Sequence, residues 1–162
     1  MIYNGLSLLS AAPIKDMLET KERAHGVSHG LAEAGYDIRI KQTVVFAGGF
    51  TEPRVWVDGA RTSGRFALAS TVDEFHMPPY LVGVVHDKST WARRGLSVRN
   101  TVIEPGWNGF LTLELVYDGS GMLEIPAGAG IAQVLFHEVA SPAQYDGKYQ
   151  GQEDRPVEAR HD

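Results

Sequence analysis

Along this chain, apolar and polar side chains alternate mostly with a period of two. The clearest run is Phe110 to Tyr117, where Leu113 and Leu115 fall on one side and Thr112, Glu114 and Val116 on the other. That is the pattern of a half-buried strand. Tyr36, Ile38 and Ile40 alternate with Asp37, Arg39 and Lys41 in the same way. Further strand candidates are Thr43 to Phe46, Val55 to Val57 around Trp56, Arg65 to Ser70 with Phe66 and Leu68 as inward positions, and Tyr80 to Val85. Leu96 to Val98, Thr101 to Ile103, Met122 to Ile125 and Ile131 to Val139 follow, with Met122 to Ile125 expected to pair with the strand before it. Turn residues separate these runs at Gly48-Gly49, Asp58-Gly59, Pro105-Gly106, Asp118 to Gly121 and Pro126 to Gly130.

Helical spacing is confined to short stretches. Leu6 to Glu22 is the main candidate, with Ser10 as cap, the helix starting near Ala11, Pro13 in the first turn, and Ile14, Met17 and Leu18 on one face. Lys21 to Gly30, with His25 and His29, reads as a polar loop. Ser89 to Gly95 reads as a short helix capped by Ser89 or Thr90 and ended by Gly95. Many short strands broken by turns predict a mainly β domain: a sandwich, a barrel or a jelly roll. The 162 residues suit one domain. Residues 1–140 form its expected body, and 141–162 a polar tail too poor in apolar residues for a core element. Such a tail is either disordered or closes over a ligand or a neighbour.

Composition narrows the function classes. Asp and Glu number 20 against 15 Lys and Arg, for a net charge of −5, so nucleic acid is not an expected partner. A local cation cluster still suits a small anion, because charge acts within a Debye length of roughly 8–10 Å. No apolar run approaches the roughly 18 residues of a membrane span, so no membrane partner is expected either. The absence of cysteine removes disulfides, thiol catalysis and Cys-ligated zinc. The six histidines show no metal-ligand spacing, and the zinc deaminase signature needs Cys, so no protein-bound metal is expected. The N-terminus lacks the positive n-region of a signal peptide, and the expected location is the cytoplasm of a bacterium or of a virus-infected cell.

Candidate chemistry concentrates between His86 and Leu115. A carboxylate at Glu114, partly walled by apolar groups, has an expected pKa above the ordinary range unless a cation offsets it. Such a group can take a proton from water and return it to a leaving nitrogen, with Arg93 a candidate to orient it. A surface or interface Glu paired with an Arg is the other reading. Lys88, Ser89 and Thr90 open the short helix and suit an anion grip, or else an ordinary cap beside a surface lysine. Asn100 and Glu104 flank the Pro105-Gly106-Trp107 turn, as turn residues or as groups addressing a sugar or a water.

The chain resembles the dCTP deaminase branch of the dUTPase-like superfamily. The resemblance rests on Ala34-Gly35-Tyr36-Asp37-Ile38-Arg39, Met77-Pro78-Pro79-Tyr80-Leu81-Val82-Gly83 and Lys88-Ser89-Thr90-Trp91-Ala92-Arg93-Arg94-Gly95. It continues through Ile103-Glu104-Pro105-Gly106-Trp107-Asn108-Gly109, Thr112-Leu113-Glu114-Leu115 and Gly147-Lys148-Tyr149-Gln150-Gly151-Gln152, in the family's order.

It implies a distorted jelly roll with a short N-terminal helix, assembled as a homotrimer with sites at subunit interfaces. The implied reaction is hydrolytic deamination of dCTP to dUTP and ammonia without zinc, with Mg2+ held through the substrate triphosphate. By the same resemblance Glu114 activates the water and shuttles protons, Arg93 orients it, and Ser89 lies near the water and phosphates. Lys88 falls where an arginine commonly contacts phosphate, and Thr90, among the substrate-binding candidates, replaces a hydroxyl with a hydroxyl. Asn100 falls in the segment that places the ring and the water. Tyr145, Lys148 and Gln152 fall on the closing tail. Glu104 stands where the superfamily usually has Asp, and Trp107 where a dUTPase usually has Tyr; both departures weaken a dUTPase reading. The alternatives left open are a bifunctional enzyme that also yields dUMP and pyrophosphate, a deaminase of a modified cytosine nucleotide, and a nucleotide-binding regulator without catalysis.

Overall fold

The computed structural model describes residues 1–161; Asp162, the last residue of the predicted tail, lies outside the described residues. In chain order the elements are α1 (Gly5–Ala11), β1 (Lys21–Ala24), β2 (Val27–Leu31), β3 (Tyr36–Arg39), β4 (Val44–Ala47), β5 (Arg54–Val57) and β6 (Ala60–Ser63). They continue with β7 (Phe66–His76), β8 (Leu81–Asp87), α2 (Ser89–Ala92), β9 (Leu96–Val98), β10 (Val102–Ile103), β11 (Asn108–Tyr117), β12 (Leu123–Ile125) and β13 (Gly130–Glu138). The fold is mainly β with a short N-terminal helix.

Three antiparallel sheets form: a six-stranded sheet in the order β1-β2-β3-β13-β8-β10, a three-stranded sheet β7-β11-β9, and a four-stranded sheet β12-β4-β5-β6. Their inner residues make one apolar cluster. Ile38, Val134, Phe136 and Leu81 of the first sheet, Ala69, Leu113 and Leu115 of the second, and Val44, Phe46 and Val55 of the third all belong to it and are fully or almost fully buried. No helix among the described residues is long and apolar enough to cross a membrane.

Several elements depart from the sequence reading. The N-terminal helix ends at Ala11 rather than beginning there. Ala12, forced out of the helical region by the proline that follows, takes φ 49 and donates its N–H back to Leu8 (3.0 Å). Residues 13–15 then run beside β7, with His76 N–H bound to Pro13 O (2.7 Å) and Lys15 N–H to Glu74 O (2.9 Å), so Ile14 enters the core from an extended segment. The expected loop at 21–30 is a β-hairpin, turning at His25-Gly26 with φ of 54 and 74. Its first strand is mostly exposed, which is why no apolar period marks it.

The phase of β7 is the reverse of the expected one. Ala67 and Ala69 are buried, whereas Phe66 is 50% exposed and Leu68 half-buried on the opposite face. β12 pairs with β4, not with the strand before it. Lys88, rather than Ser89 or Thr90, occupies the cap position of α2, and Trp91 anchors that helix by donating its indole N–H to Gly130 O (2.6 Å).

Candidate active site

β7 and β11 place Leu68 directly opposite Glu114 and Ser70 opposite Thr112. Since Leu113 and Leu115 are taken by the core, the alternate residues Thr112 and Glu114 point away from it, toward a cavity of about 410 Å³. That volume lies within the usual range for small-molecule sites. Phe66, Leu68, Val102, Leu111 and Trp107 give its walls an apolar character, and Glu104, Asn100 and Gln152 add polar groups. Burial pushes the Glu114 carboxyl above the ordinary carboxylate range. Among the described residues no lysine or arginine lines this cavity, although two carboxylates do.

The turn at the cavity's edge follows from its residues. Trp107 N–H bonds to Glu104 O (3.1 Å) across Pro105-Gly106, with Gly106 at φ 78, the conformation a glycine supplies in the third position of such a turn. Trp107 is buried, its ring 6.0 Å from that of Phe75, and its indole N–H donates to Tyr149 O (2.6 Å). Glu104 is exposed at the rim.

The tail lies across the cavity of its own chain. Gly109 and Gln152 form a parallel bridge, in which Phe110 N–H donates to Gln152 O (3.1 Å) and Gly151 N–H to Asn108 O (2.9 Å). A Cβ at Gly109 would stand 2.6 Å from Gln152 N, and φ there is 137, so only glycine admits the tail this closely. Tyr145 N–H bonds Pro105 O (2.8 Å), and Thr112 Oγ1 lies 3.3 Å from Gln152 Oε1 and accepts Val157 N–H (3.0 Å). Lys148 stays exposed, its ammonium 5.6 Å from the Tyr149 ring.

Of the residues singled out from the sequence, the structure brings Glu114, Asn100, Glu104, Trp107, Tyr145 and Gln152 together around one cavity. Lys88, Ser89, Thr90, Arg93 and Lys148 do not line it. Ser89, Thr90 and Arg93 are exposed on and just after α2. Lys88 is largely buried, with its ammonium 2.7 Å from Asp37 Oδ2 and 2.9 Å from Ser28 Oγ. Sequence reasoning missed Gln150, whose carboxamide accepts from Asn108 N–H (2.8 Å) and donates to Gly106 O (2.9 Å), and Val157, buried against the cavity. A glutamine in a polar tail carries no periodic signal; only the folded backbone reveals its partners. Among the described residues no three His, Asp or Glu side chains converge as a metal-ligand set.

The comparisons with known proteins agree on the lineage. A family model described as dCTP deaminase-like matches residues 61–139. A dCTP deaminase of Chlamydia trachomatis serovar D is 36% identical over 154 residues, covering 83% of this chain and 80% of that protein. Those of Herpetosiphon aurantiacus (35% over 159 residues, 86% of each) and Campylobacter fetus subsp. fetus (40% over 147 residues, 78% of each) are similarly close. Among solved structures, the dUTPase of Staphylococcus bacteriophage 80alpha superposes with a TM-score of 0.54 at 18% identity, covering 91% of this chain and 95% of that one. EIAV dUTPase gives 0.53 at 17% identity, with 85% and 92% covered. At such identities these two speak for the fold alone, which is of the dUTPase-like type. By its sequence relatives, the chain belongs to the dCTP deaminase family.

Proposed function

We propose that this protein hydrolyses the C4–amino bond of the cytosine ring in dCTP, giving dUTP and ammonia, with Glu114 as the proton-transferring group. The observation that carries this reading is a carboxyl raised by burial, beside Thr112, on the wall of a largely apolar cavity. A raised pKa suits a group that must accept a proton and then give it back. The Glu114 carboxylate takes a proton from water as the oxygen bonds to C4, and that proton passes to N3. The tetrahedral intermediate then loses its hydroxyl proton to Glu114, which delivers it to the amino nitrogen. The C4–N bond breaks, ammonia leaves, and the C4 oxygen becomes the carbonyl of uracil. An apolar wall strengthens each of these charge interactions by excluding water.

A triphosphate is polyanionic and calls for cations, and among the described residues no lysine or arginine lines the cavity. In the homotrimer of this proposal a neighbouring copy supplies them. Arg93 of that copy orients Glu114, and Ser89 and Thr90 add hydroxyl donors near the attacking water and phosphates. Trp107 and Glu104 border the sugar, and Tyr145, Lys148 and Gln152 act from the tail. Mg2+ arrives with the triphosphate and is part of the substrate.

The test is to incubate purified protein and magnesium with dCTP and, separately, with dUTP, and to separate the products by chromatography. The expected result is dUTP from the first and nothing from the second. An unchanged dCTP peak would overturn the assignment, and dUMP with pyrophosphate from dUTP would overturn the single activity.

A further inference from the structure

Asn100 sits on the cavity wall, where a carboxamide invites a role in reading the nucleotide. Its hydrogen bonds point elsewhere. Asn100 Oδ1 accepts the backbone N–H of Glu114 (2.9 Å), and Asn100 Nδ2 donates to the backbone carbonyl of Thr112 (2.7 Å). Next to it, Arg99 N–H donates to Glu114 O (2.8 Å). Both backbone groups of Glu114 are therefore satisfied by this one dipeptide, on the side away from β7.

The topology explains the arrangement. β9 pairs with β11 from Tyr117 back to Leu115, and there the chain leaves the second sheet. By Val102 it has joined the first sheet, pairing with β8. The crossing carries Asn100, Thr101 and Val102 along the cavity wall and leaves a gap at the edge of β11. It would also strip Glu114 N–H and Thr112 C=O of their partners at the strand's edge. The Asn100 carboxamide has the same donor and acceptor pair as a peptide unit, and it continues the ladder for one more step while the backbone turns away.

We propose that Asn100 is the positioning residue for Glu114, holding the backbone from which the carboxylate projects, and is not a contact of the nucleotide. The kinetic part of this inference rests on the deaminase reading above; the backbone part does not. The geometry separates three groups on β11. The amides of Leu113 and Leu115 face β7, whereas that of Glu114 donates to the Asn100 side chain. Asparagine is the right size for this task. Alanine removes both bonds. Aspartate keeps an acceptor for Glu114 N–H, but its second oxygen faces the Thr112 carbonyl oxygen and repels it.

The experiment measures backbone amide hydrogen exchange in wild type, Asn100→Ala and Asn100→Asp, with steady-state kinetics on dCTP beside it. In Asn100→Ala the Glu114 amide is expected to exchange about tenfold faster, the scale of one lost hydrogen bond, while Leu113 and Leu115 stay protected. In Asn100→Asp it is expected to exchange more slowly than in Asn100→Ala, because an acceptor for its N–H remains. A carboxylate displaced by about 1 Å costs about 10²-fold in kcat, with KM little changed. Unaltered exchange at Glu114 in Asn100→Ala would overturn the proposal, as would a rise in KM at constant kcat, which marks a substrate contact. So would uniform acceleration along β11, the signature of general destabilisation. Should the alanine variant not fold, Asn100→Ser, too short to bridge both backbone groups, takes its place: faster exchange at Glu114 alone supports the proposal and wild-type protection refutes it. If the wild-type protein does not deaminate dCTP, the exchange result still stands, so the two failures are told apart.

Discussion

Gln150 offers the sharpest handle on the tail. Its carboxamide makes two bonds to the body of the protein, accepting from Asn108 N–H at 2.8 Å and donating to Gly106 O at 2.9 Å. Two more, with Gly151 N–H (3.1 Å) and Tyr145 O (3.1 Å), hold the tail's own turn. Gln150→Ala removes all of them and leaves the backbone bridge of Gly109 and Gln152 in place. Each body-to-tail bond contributes about 1 kcal/mol net, so the docked tail loses about 2 kcal/mol, or about 30-fold in the ratio of docked to undocked chain.

Trypsin reads this ratio through the bonds after Lys148, Arg155 and Arg160, since cleavage needs an undocked, extended stretch of chain. When reclosing outpaces cleavage, the rate follows the open population. Tail cleavage in Gln150→Ala is expected about 30-fold faster than in wild type, with the unfolding temperature of the body unchanged. A rate within about twofold of wild type would refute the hydrogen-bond reasoning, because even one bond of ordinary strength predicts more.

Other variants test the remaining parts. Lys88→Ala leaves Asp37, whose side chain is 6% exposed, as a buried charge without its cation. The expected loss is about 3–5 kcal/mol, read as a fall of about 10 °C in Tm; a stable variant that merely binds triphosphate less well would mean that Lys88 acts mainly on the ligand. For Glu114 the sign follows from its raised pKa: the folded protein holds this proton more tightly than the unfolded chain. The resulting stability is fully present below the unfolded value of about 4.3 and is lost as pH rises through the folded one. Glu114→Gln is therefore expected to raise Tm at pH 8 relative to wild type, with the gain vanishing near about pH 4; a lowered Tm at pH 8 would contradict burial as the cause. The acid limb of kcat/KM is expected above the ordinary carboxylate range and absent from any residual rate of that variant.

Some of this was legible in the residues and some was not. Thr112 and Glu114 share a face because strand periodicity is strict, and alternation in β11 carried the candidate base directly. β7 shows the limit of the same rule. Phe66 and Leu68 look like core positions, yet Ala67 and Ala69 take the buried places and the large side chains turn to the cavity. The spacing of Ile14, Met17 and Leu18 suits a helix, but Pro13 ends one; Ile14 is bridged to Phe75 of β7 and Leu18 N–H donates to the Tyr36 hydroxyl of β3, long-range partners that no local pattern encodes. The β1–β2 hairpin is invisible because its outer strand faces solvent and carries no apolar period. At the site, residue types were readable and their partners were not. Asn100 and Lys88 both looked available for a ligand, and each is engaged, by backbone or by Asp37, once the chain folds.

The central claim is that this cavity deaminates cytosine in dCTP and that Glu114 moves the protons. Ion-exchange chromatography of dCTP incubated with wild-type protein and, in parallel, with Glu114→Gln tests it most directly. The account predicts dUTP and an equal amount of ammonia from the wild type and none from the variant, because an amide cannot take the water's proton. Deamination at a comparable rate by both proteins, or by neither, would contradict it.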